Sequence, residues 1–458
     1  MTFSRRLKRA LTGDSEARFV YLGNFEVERD WARGEPRLPG AGVNFTAATV
    51  NRMEEMGVFL ADDDDVLLLK EPPDPQYRTY LHGLGVASAT VLCPENTDPL
   101  RRITEDALES PQLIADLRAL ADGRTHLLPL GVSPALQVLA EQTGIRLAAP
   151  SAAVCKAVNG KIFSRMVTER VGLREVPGEC CRTYGDVADA VDRHLGASER
   201  VVVKESFGVS GRGMVVLDRR SADTFLRMIG RRGRDAPADM VVETWMDEVE
   251  SLNYQFIVAR DGSVLFETVK AAITESGVHR GHRFPTRLPD GIETELRRSA
   301  ELLGRELYDH GYFGMVGVDA LLSTDGLLYP CLEINARFNM ANYQNCIADL
   351  CVPPGAHAQA CSIELTMDST LSFTEFTRPF EELLLDRAAG KGIVVSNFAT
   401  VNAGAAAEAD RFRGRLGVMC VAGTAAEAAA LRHELDQRLA TGLVGTGQVG
   451  VAAEGVGR

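Results

Sequence analysis

A single stretch in the middle of the chain limits which folds the sequence can adopt. Residues 201–217 read VVVKESFGVSGRGMVVL: an apolar run that ends in a lysine, a glycine-rich segment, and a second apolar run. This order predicts two strands joined by a flexible loop, because glycine permits backbone conformations and close approaches that other residues block. Amides and a hydroxyl in such a loop can donate hydrogen bonds to phosphate oxygens. The candidate phosphate-binding residues are Lys204, Gly208, Ser210, Gly211 and Gly213.

The position of the lysine distinguishes this loop from a P-loop. In the P-loop pattern the lysine follows the glycines and opens a helix, whereas Lys204 precedes the glycines and strands are predicted on both sides. The pattern therefore favours a hairpin-like flap that closes over phosphate. A glycine turn without a ligand would also account for this stretch taken alone.

Composition and charge exclude several other classes of protein. With 458 residues, of which 45% are hydrophobic and 25% charged, the chain is expected to form a soluble globular protein of several domains. Its net charge of -13 argues against a surface for nucleic acid or anionic lipid and favours small or cationic partners. The nine cysteines form no CxxC pair, which indicates a reducing, cytoplasmic compartment. Residues 1–13 are basic and predict a short surface helix or a frayed end rather than a membrane-binding segment, and no apolar stretch long enough for a signal or a membrane span follows them.

The pattern of strands and helices divides the chain into three predicted domains. Residues 1–150 alternate short β-rich runs with helical patterns, which predicts an α/β domain built on a parallel sheet. Residues 151–365 predict a mixed α+β unit, with two long antiparallel strands that turn at Asp261 and Gly262. Residues 366–458 predict a small α/β unit. The strand candidates of the first domain are RFVYLG, VLLL, VASATVL, THLLPL and IRLAA.

A second candidate binding element is the segment MVVETWMDEVES, residues 240–251. An apolar strand that runs into this sequence can present backbone groups to the edge of an adenine ring, with Trp245 and Met246 supplying apolar contact. Glu250 can accept hydrogen bonds from ribose hydroxyls. Taken alone, the segment also fits an ordinary strand end with surface acids.

The most specific pattern is VDALLSTDGLLYPCLEINARFN, residues 318–339. Glu333 and Asn335 are two apart on one predicted strand, so their side chains share a face, and Asp319 lies on the preceding strand of the hairpin. Two carboxylates and an amide oxygen are hard ligands suited to Mg²⁺. Arg337 follows them, where it can meet a transferring phosphoryl group. A structural Glu-Asn pair stays an alternative.

In this order, the three elements resemble the ATP-grasp superfamily over residues 151–365. The resemblance implies ATP and Mg²⁺ as cofactors and a flap at residues 208–213. The interval between Asp319 and Glu333 is longer than in many relatives and contains Pro330, which predicts a bulge or an edge strand. The implied site consists of Lys161, Lys204 and Lys270 for the phosphates, Glu243, Trp245 and Met246 for the adenine, Glu250 for the ribose, Asp319, Glu333 and Asn335 for the metal, and Arg337 as the basic residue that follows them.

The flanking regions resemble a narrower group of enzymes. FVYLGNFEVERDWA, residues 19–32, looks like the pre-ATP-grasp domain of pheganomycin-type peptide ligases, and the C-terminal unit is similar to theirs. This resemblance implies a ligase that joins an amino-acid-like carboxylate to the amine of an amino acid or peptide. A carboxylase-like or amidoligase member of the superfamily stays open, as does a nucleotide-binding regulator without catalysis. The sequence also leaves open whether the chain forms a homodimer.

A basic segment lies between these elements and has three possible roles. ESGVHRGHRFPTRLP, residues 275–289, carries three arginines, of which Arg283 is the candidate for binding the donor carboxylate by paired hydrogen bonds. His279 and His282 suggest a zinc pair, although no cysteine or further histidine lies nearby. A solvated basic loop is the remaining interpretation. The candidate catalytic residues are Arg283, Lys270 and Arg337.

Overall fold

The computed structural model describes residues 1–39, 47–208, 213–275, 278–407, 411–441 and 450–451. Two residues of the predicted phosphate loop, Ser210 and Gly211, lie outside these ranges. In the parts that are described, the strands form one parallel sheet followed by two antiparallel sheets. The predicted α/β class, with a parallel-sheet domain at the N-terminus, is confirmed.

The N-terminal part of the chain folds around the parallel sheet. Its strands are β1 (Arg18–Leu22), β2 (Val66–Leu68), β3 (Thr90–Leu92), β4 (Thr125–Pro129) and β5 (Arg146–Leu147). Its helices are α1 (Phe3–Thr12), α2 (Val27–Trp31), α3 (Ala47–Asn51), α4 (Pro75–Gly83), α5 (Ile103–Leu108), α6 (Pro111–Ala119) and α7 (Pro134–Thr143), with a 3-10 helix at Arg52–Phe59. The strand order is β3-β2-β1-β4-β5, and each strand lies within one of the five sequence candidates.

Helix α1 forms where the sequence predicts it, with one face buried against the core and with Arg5 and Arg9 exposed. Leu7 and Leu11 are fully buried, because the apolar residues recur at helical spacing and form one stripe. Lys8 is also buried, and its ammonium lies 3.0 Å from Asp62 Oδ2 and 2.9 Å from Asp65 Oδ1. Two aspartates inside the fold therefore neutralise the charge of Lys8.

The second sheet carries the strands on either side of the glycine loop. Its elements are α8 (Ala152–Val158), α9 (Lys161–Arg170), β6 (Gly178–Thr183), α10 (Tyr184–Ala197), β7 (Arg200–Glu205), β8 (Met214–Asp218), α11 (Arg219–Gly230) and β9 (Pro237–Thr244). The order is β6-β9-β7-β8, and β7 and β8 are antiparallel, with Lys204 opposite Met214. Gly213 has a φ of 71°, and a Cβ there would lie 2.6 Å from Glu205 Oε2, so the position requires glycine.

The third sheet joins the predicted metal hairpin to the C-terminal strands. Its strands are β10 (Glu248–Val258), β11 (Val264–Glu275), β12 (Val278–Phe284), β13 (Gly314–Ser323), β14 (Leu328–Asn335), β15 (His357–Met367), β16 (Gly392–Asn397), β17 (Phe412–Ala422) and β18 (Gly450–Val451). The helices are α12 (Ile292–Asp309), α13 (Met340–Cys351), α14 (Phe373–Thr377), α15 (Ala399–Asn402) and α16 (Ala425–Thr441), with 3-10 helices at Arg378–Leu383 and Ala403–Ala406. The order is β14-β13-β10-β11-β12-β15-β17-β16, and β18 pairs with β15.

The connection through β12 was not predicted from the sequence. Residues 278–284 of the basic segment form a strand that pairs with β11 on one side and β15 on the other. The boundary predicted after residue 365 falls inside β15, and the division of the chain into three domains stays a prediction. Within the described ranges, none of the helices combines the length and the apolar character that a membrane span requires.

The hairpin of β13 and β14 contains the irregularity that Pro330 predicts. Strand β14 lies at the edge of the sheet. Asp319 pairs with Glu333 and Leu321 with Tyr329, so the register shifts between these two pairs, and Pro330 lies in the resulting bulge. The bulge accommodates the longer interval and leaves Asp319 directly opposite Glu333.

Candidate functional site

The predicted metal ligands lie together on the hairpin. Asp319 Oδ1 accepts a hydrogen bond of 2.8 Å from Asn253 Nδ2, and Asp319 Oδ2 accepts one of 3.2 Å from Asn335 Nδ2. Burial raises the pKa of Asp319 to about 6, and the Glu333 carboxylate adds to this rise, whereas the hydrogen bonds from the two asparagines oppose it. Two carboxylates that repel each other in this way favour a bound cation.

Lys161 connects these acids with the glycine loop. It is the first residue of α9, and its Nζ lies 2.8 Å from Glu333 Oε1 and 3.3 Å from the carbonyl oxygen of Gly208. The side chain is largely buried. The structure therefore brings together a predicted phosphate lysine, a predicted loop glycine and a predicted metal ligand.

Lys204 pairs with an acid of the predicted adenine segment. Its Nζ lies 2.6 Å from Glu243 Oε2, and Arg165 lies 2.9 Å from the other carboxylate oxygen. Burial alone would lower the pKa of Lys204, but the Glu243 carboxylate outweighs burial, so the pKa is raised. Sequence reasoning missed Arg165, although its position one helical turn after Lys161 on α9 places both side chains on one face.

The segment after Glu243 has an apolar surface, and two of its backbone amides already donate hydrogen bonds within the protein. The amides of Thr244 and Trp245 donate hydrogen bonds to the carbonyls of Pro177 and Arg200, at 2.8 Å and 3.0 Å. The Arg200 guanidinium also lies over the Trp245 ring, 5.5 Å from its centroid. Met246 packs in a small apolar cluster with Val176, Leu321, Leu327, Tyr329 and Leu332. This cluster joins the second sheet to the hairpin of β13 and β14.

The predicted phosphoryl arginine, Arg337, pairs with a residue of the N-terminal domain. Its Nε lies 2.7 Å from Glu28 Oε1, and its Nη2 donates to the same oxygen and to Asn335 Oδ1, the latter at 2.9 Å. Sequence reasoning missed Glu28 as part of this site. The two residues are 309 positions apart, and no local pattern connects them.

The other candidates lie on the neighbouring strands. Lys270 faces Asn253 across β10 and β11, and its Nζ donates to the carbonyl of Ala341 at 2.8 Å. Burial lowers the pKa of Lys270 to about 7. Arg283 lies 2.5 Å from Glu250 Oε1, so the predicted carboxylate-binding arginine and the predicted ribose acceptor form an ion pair.

Of the two histidines in the basic segment, His282 is the one whose side chain the structure describes. His282 is buried, and its Nδ1 lies 2.9 Å from Gln344 Oε1. The side chain of His279 is not among the described parts of the structure.

The arrangement of sheets and side chains is the one expected from the resemblance to ATP-grasp ligases. A parallel-sheet domain precedes a small antiparallel sheet with a glycine loop, and an acid-bearing hairpin follows at the edge of a larger sheet. Sequence comparison agrees, because residues 53–145 match the Pre ATP-grasp domain family. The resemblance to ATP-grasp ligases inferred from the sequence is therefore confirmed.

Sequence comparison also finds a similar ligase. The chain is similar to the butirosin acyl-carrier-protein L-glutamate ligase of Niallia circulans, with 26% identity over 296 residues. The alignment covers 64% of this chain and 66% of that ligase, just under two thirds of its length.

Two solved structures share the fold at 14% identity each. One is an ADP complex of N5-carboxyaminoimidazole ribonucleotide synthetase, with a TM-score of 0.52 over 92% of this chain and 96% of that one. The other is a β,γ-ATP complex of biotin carboxylase from Campylobacter jejuni, with a TM-score of 0.51 over 86% and 89%. The closer resemblance to pheganomycin-type peptide ligases stays a prediction.

Proposed function

We propose that this chain is an ATP-dependent carboxylate–amine ligase that forms an amide or peptide bond and releases ADP and phosphate. The observation that carries the proposal is the cluster of Asp319, Glu333 and Asn335 beside two lysine ammonium groups. Such a cluster suits a triphosphate and a divalent cation, because every charge in it can exchange its present partner for one on the ligand. The substrates of the proposed reaction are a small carboxylate and the amine of an amino acid or peptide.

In this proposal the nucleotide lies between the second sheet and the hairpin of the third. Lys161 and Lys204 bind the phosphates, and residues 208–213 close over them. The apolar cluster around Met246 receives the adenine ring. Because the amides of Thr244 and Trp245 already donate to other carbonyls, the amide of Met246 is the candidate donor to the adenine edge. Glu250 is the candidate ribose acceptor, and it must then exchange its ion pair with Arg283 for a ribose hydroxyl.

The residues of the hairpin fit a magnesium ion. Asp319 is buried opposite a second carboxylate, and both offer hard oxygen ligands, as does the Asn335 amide. When bound, Mg²⁺ would neutralise charge on the terminal phosphates of ATP. The chain itself would supply the remaining positive charge through Lys204, Arg337 and, further along the sheet, Lys270.

The proposed reaction has two steps. An oxygen of the donor carboxylate, held by Arg283, attacks the γ-phosphorus of ATP, and the bond to the bridging oxygen of ADP breaks. The amine nitrogen then attacks the carbonyl carbon of the acyl phosphate, phosphate leaves, and one proton is released. Activation is needed because the oxygen of a free carboxylate is a poor leaving group at neutral pH.

A screen of substrate pairs tests this proposal. The protein is incubated with MgATP and combinations of amino-acid carboxylates and amines, and ADP release and product mass are measured. We expect ADP release that needs both partners, together with one amide per ADP. ADP release with bicarbonate alone would favour a carboxylase-like enzyme instead. Nucleotide binding without turnover for any pair would favour a regulator.

A second candidate, ligation to a carrier protein, is favoured by an arginine-rich face on α11. Five exposed arginines at its ends and in the loop after it have no ion pair among the described residues, in a chain with a net charge of -13. Such a face suits an acidic protein partner, and the similar ligase from Niallia circulans is named for an acyl-carrier protein. These arginines are Arg219, Arg220, Arg227, Arg231 and Arg232.

The carrier candidate has its own test. The protein, MgATP and an amino acid are incubated with an acidic acyl-carrier protein that carries phosphopantetheine, and the intact mass of the carrier is measured. Carrier ligation predicts a gain of one amino-acid residue, which falls when Arg220, Arg227 and Arg231 are changed to Glu. The matched control changes Arg9, Arg78 and Arg298, which are exposed elsewhere.

A further inference from the structure

The ion pair between Glu28 and Arg337 joins the N-terminal domain to the site. Glu28 lies on α2, and Arg337 follows β14. Their side chains are 15% and 12% exposed, so water screens the pair only in part. Two guanidinium nitrogens of Arg337 donate to one oxygen of Glu28. Such charge-assisted hydrogen bonds fix the orientation of the guanidinium plane as well as its position.

The remaining contacts of Arg337 place this plane beside the predicted metal ligands. Its Nη2 also donates to Asn335 Oδ1 at 2.9 Å, and its Nη1 donates to the carbonyl of Phe338 at 3.3 Å. The amide of Phe338 in turn donates to the carbonyl of Leu130, at the end of β4, at 3.2 Å. Both the backbone and the side chain of this segment are therefore held by the N-terminal domain.

The support beneath Glu28 is itself well fixed. Trp31, one turn further along α2, is buried and donates from Nε1 to the carbonyl of Val132 at 3.1 Å. Asn24, just before the helix, donates to the carbonyl of Gly131 at 2.7 Å. A Cβ at Gly131 would lie 2.9 Å from the Trp31 ring, so the close approach of helix and loop depends on glycine there. Glu28 consequently projects from a rigid element.

We propose that Glu28 is a positioning residue that orients Arg337 for the phosphoryl group, so that the N-terminal domain helps to set the geometry of the chemical step. This inference rests on the proposed function, in which Arg337 stabilises charge on the transferring group. A free arginine side chain samples many rotamers, and a fixed one loses less entropy when it meets the phosphate. Glu28 therefore acts through Arg337 and touches neither substrate.

The test combines substitutions at both positions. Glu28→Gln should lower kcat by roughly 10- to 100-fold, the range for residues that orient a functional group, while the KM for ATP changes little. Glu28→Asp should restore part of the loss, because it keeps the charge. In an Arg337→Met background, Glu28→Gln should cause no further loss, since its effect passes through that arginine.

The control is a second ion pair between the N-terminal part of the chain and the helices that follow it. Glu35 lies 2.6 Å from Lys156 on α8, and Glu35→Gln should leave kcat within about twofold of the parent while the unfolding temperature of each variant is recorded. A Glu28→Gln enzyme with unchanged kcat would overturn the inference. So would a loss that adds to the loss caused by Arg337→Met.

A binding measurement separates this inference from the proposed function. If no carboxylate–amine pair releases ADP with the parent protein, the proposed function fails. The role of Glu28 is then decided by the affinity for a nonhydrolysable ATP analogue relative to ADP. We expect Glu28→Gln to lower this ratio several-fold, because Arg337 would meet only the terminal phosphate. An unchanged ratio would overturn the positioning role.

Discussion

Two glutamates at the edge of the parallel sheet and two glutamates of the candidate site lie in different surroundings. Near the carboxyl edge of the parallel sheet, Glu26 and Glu54 are 4% and 2% exposed, and each has one oxygen without a hydrogen-bond partner among the described residues. In the ATP-grasp site, Glu243 and Glu333 each lie within 3 Å of a lysine ammonium, at 2.6 Å and 2.8 Å. The first two glutamates therefore each keep an unpartnered oxygen among the described residues, whereas Glu243 and Glu333 each contact a lysine.

The comparison shows two ways to reduce the free-energy cost of burying a carboxylate: a proton or a nearby cation. Burial raises the pKa of Glu26 to about 7 and that of Glu54 to about 8, so both carboxyls keep a proton at a higher pH than an exposed glutamate does. The paired acids of the site have cations as partners instead. In the proposed function, the nucleotide and its metal would exchange partners with these paired acids.

The largest effect is expected from breaking the metal hairpin. Glu333→Gln removes a charged oxygen ligand and also frees Lys161, so we expect ADP release to fall on the order of 100-fold or more. The measurement is steady-state ADP release with the substrate pair found by screening. The matched control is Glu364→Gln on β15, which removes an ion pair in which Glu364 Oε1 lies 2.7 Å from Arg415 Nη2. Turnover of Glu333→Gln within a few-fold of the parent would contradict the metal assignment.

A smaller effect is expected from the other member of that pair. Lys161→Met leaves Glu333 without its ammonium partner next to the proposed phosphates, and we expect the affinity for ADP to fall about tenfold, since roughly 1.4 kcal/mol of charge interaction is lost. Calorimetric titration with MgADP measures this. Lys391→Met, which removes an exposed lysine paired with Glu427, should bind like the parent. Equal affinities for all three proteins would mean that Lys161 does not contact the nucleotide.

The positions of several candidate site residues were predictable from the sequence, because local order alone sets them. The position of Lys204 near a strand end, with glycines after it, follows from a predicted strand–loop–strand unit. Asp319 and Glu333 needed only a hairpin, and Pro330 predicted its irregularity. In each case neighbours in sequence are also neighbours in space, so strand alternation and turn residues carry the information.

The rest depends on contacts between distant parts of the chain. Glu28 meets Arg337 across 309 positions, and β12 joins the C-terminal strands to the hairpin sheet although its sequence is glycine-containing and basic. Lys8 is buried only because two aspartates of a distant turn receive its charge. Such pairings are set by tertiary packing, which one sequence does not display.

The N-terminal acids provide a test through pH. The folded protein holds a proton on Glu54 up to about pH 8, whereas the unfolded chain releases it near the ordinary glutamate pKa, so this group makes stability fall as pH rises between these values. Glu54→Gln should remove this fall and raise the unfolding temperature at pH 8 on the order of 2 °C. Scanning calorimetry at pH 5 and pH 8 measures it. The control Glu141→Gln, at an exposed position, should retain the pH dependence of the parent.

The smallest effect is expected from Lys270, a predicted site lysine that, unlike Lys161 and Lys204, contacts no carboxylate among the described residues. Within the described residues Lys270 has no ion pair, and burial lowers its pKa to about 7. The unfolded chain therefore binds more protons than the folded one between pH 7 and the ordinary lysine pKa, and this lysine makes stability rise with pH there. Lys270→Met should flatten that rise, while loss of its hydrogen bond to Ala341 offsets part of the gain. Unfolding temperatures at pH 7 and pH 9 measure the slope, with Lys391→Met as control. A slope equal to that of the parent would mean that Lys270 keeps its proton in the folded protein.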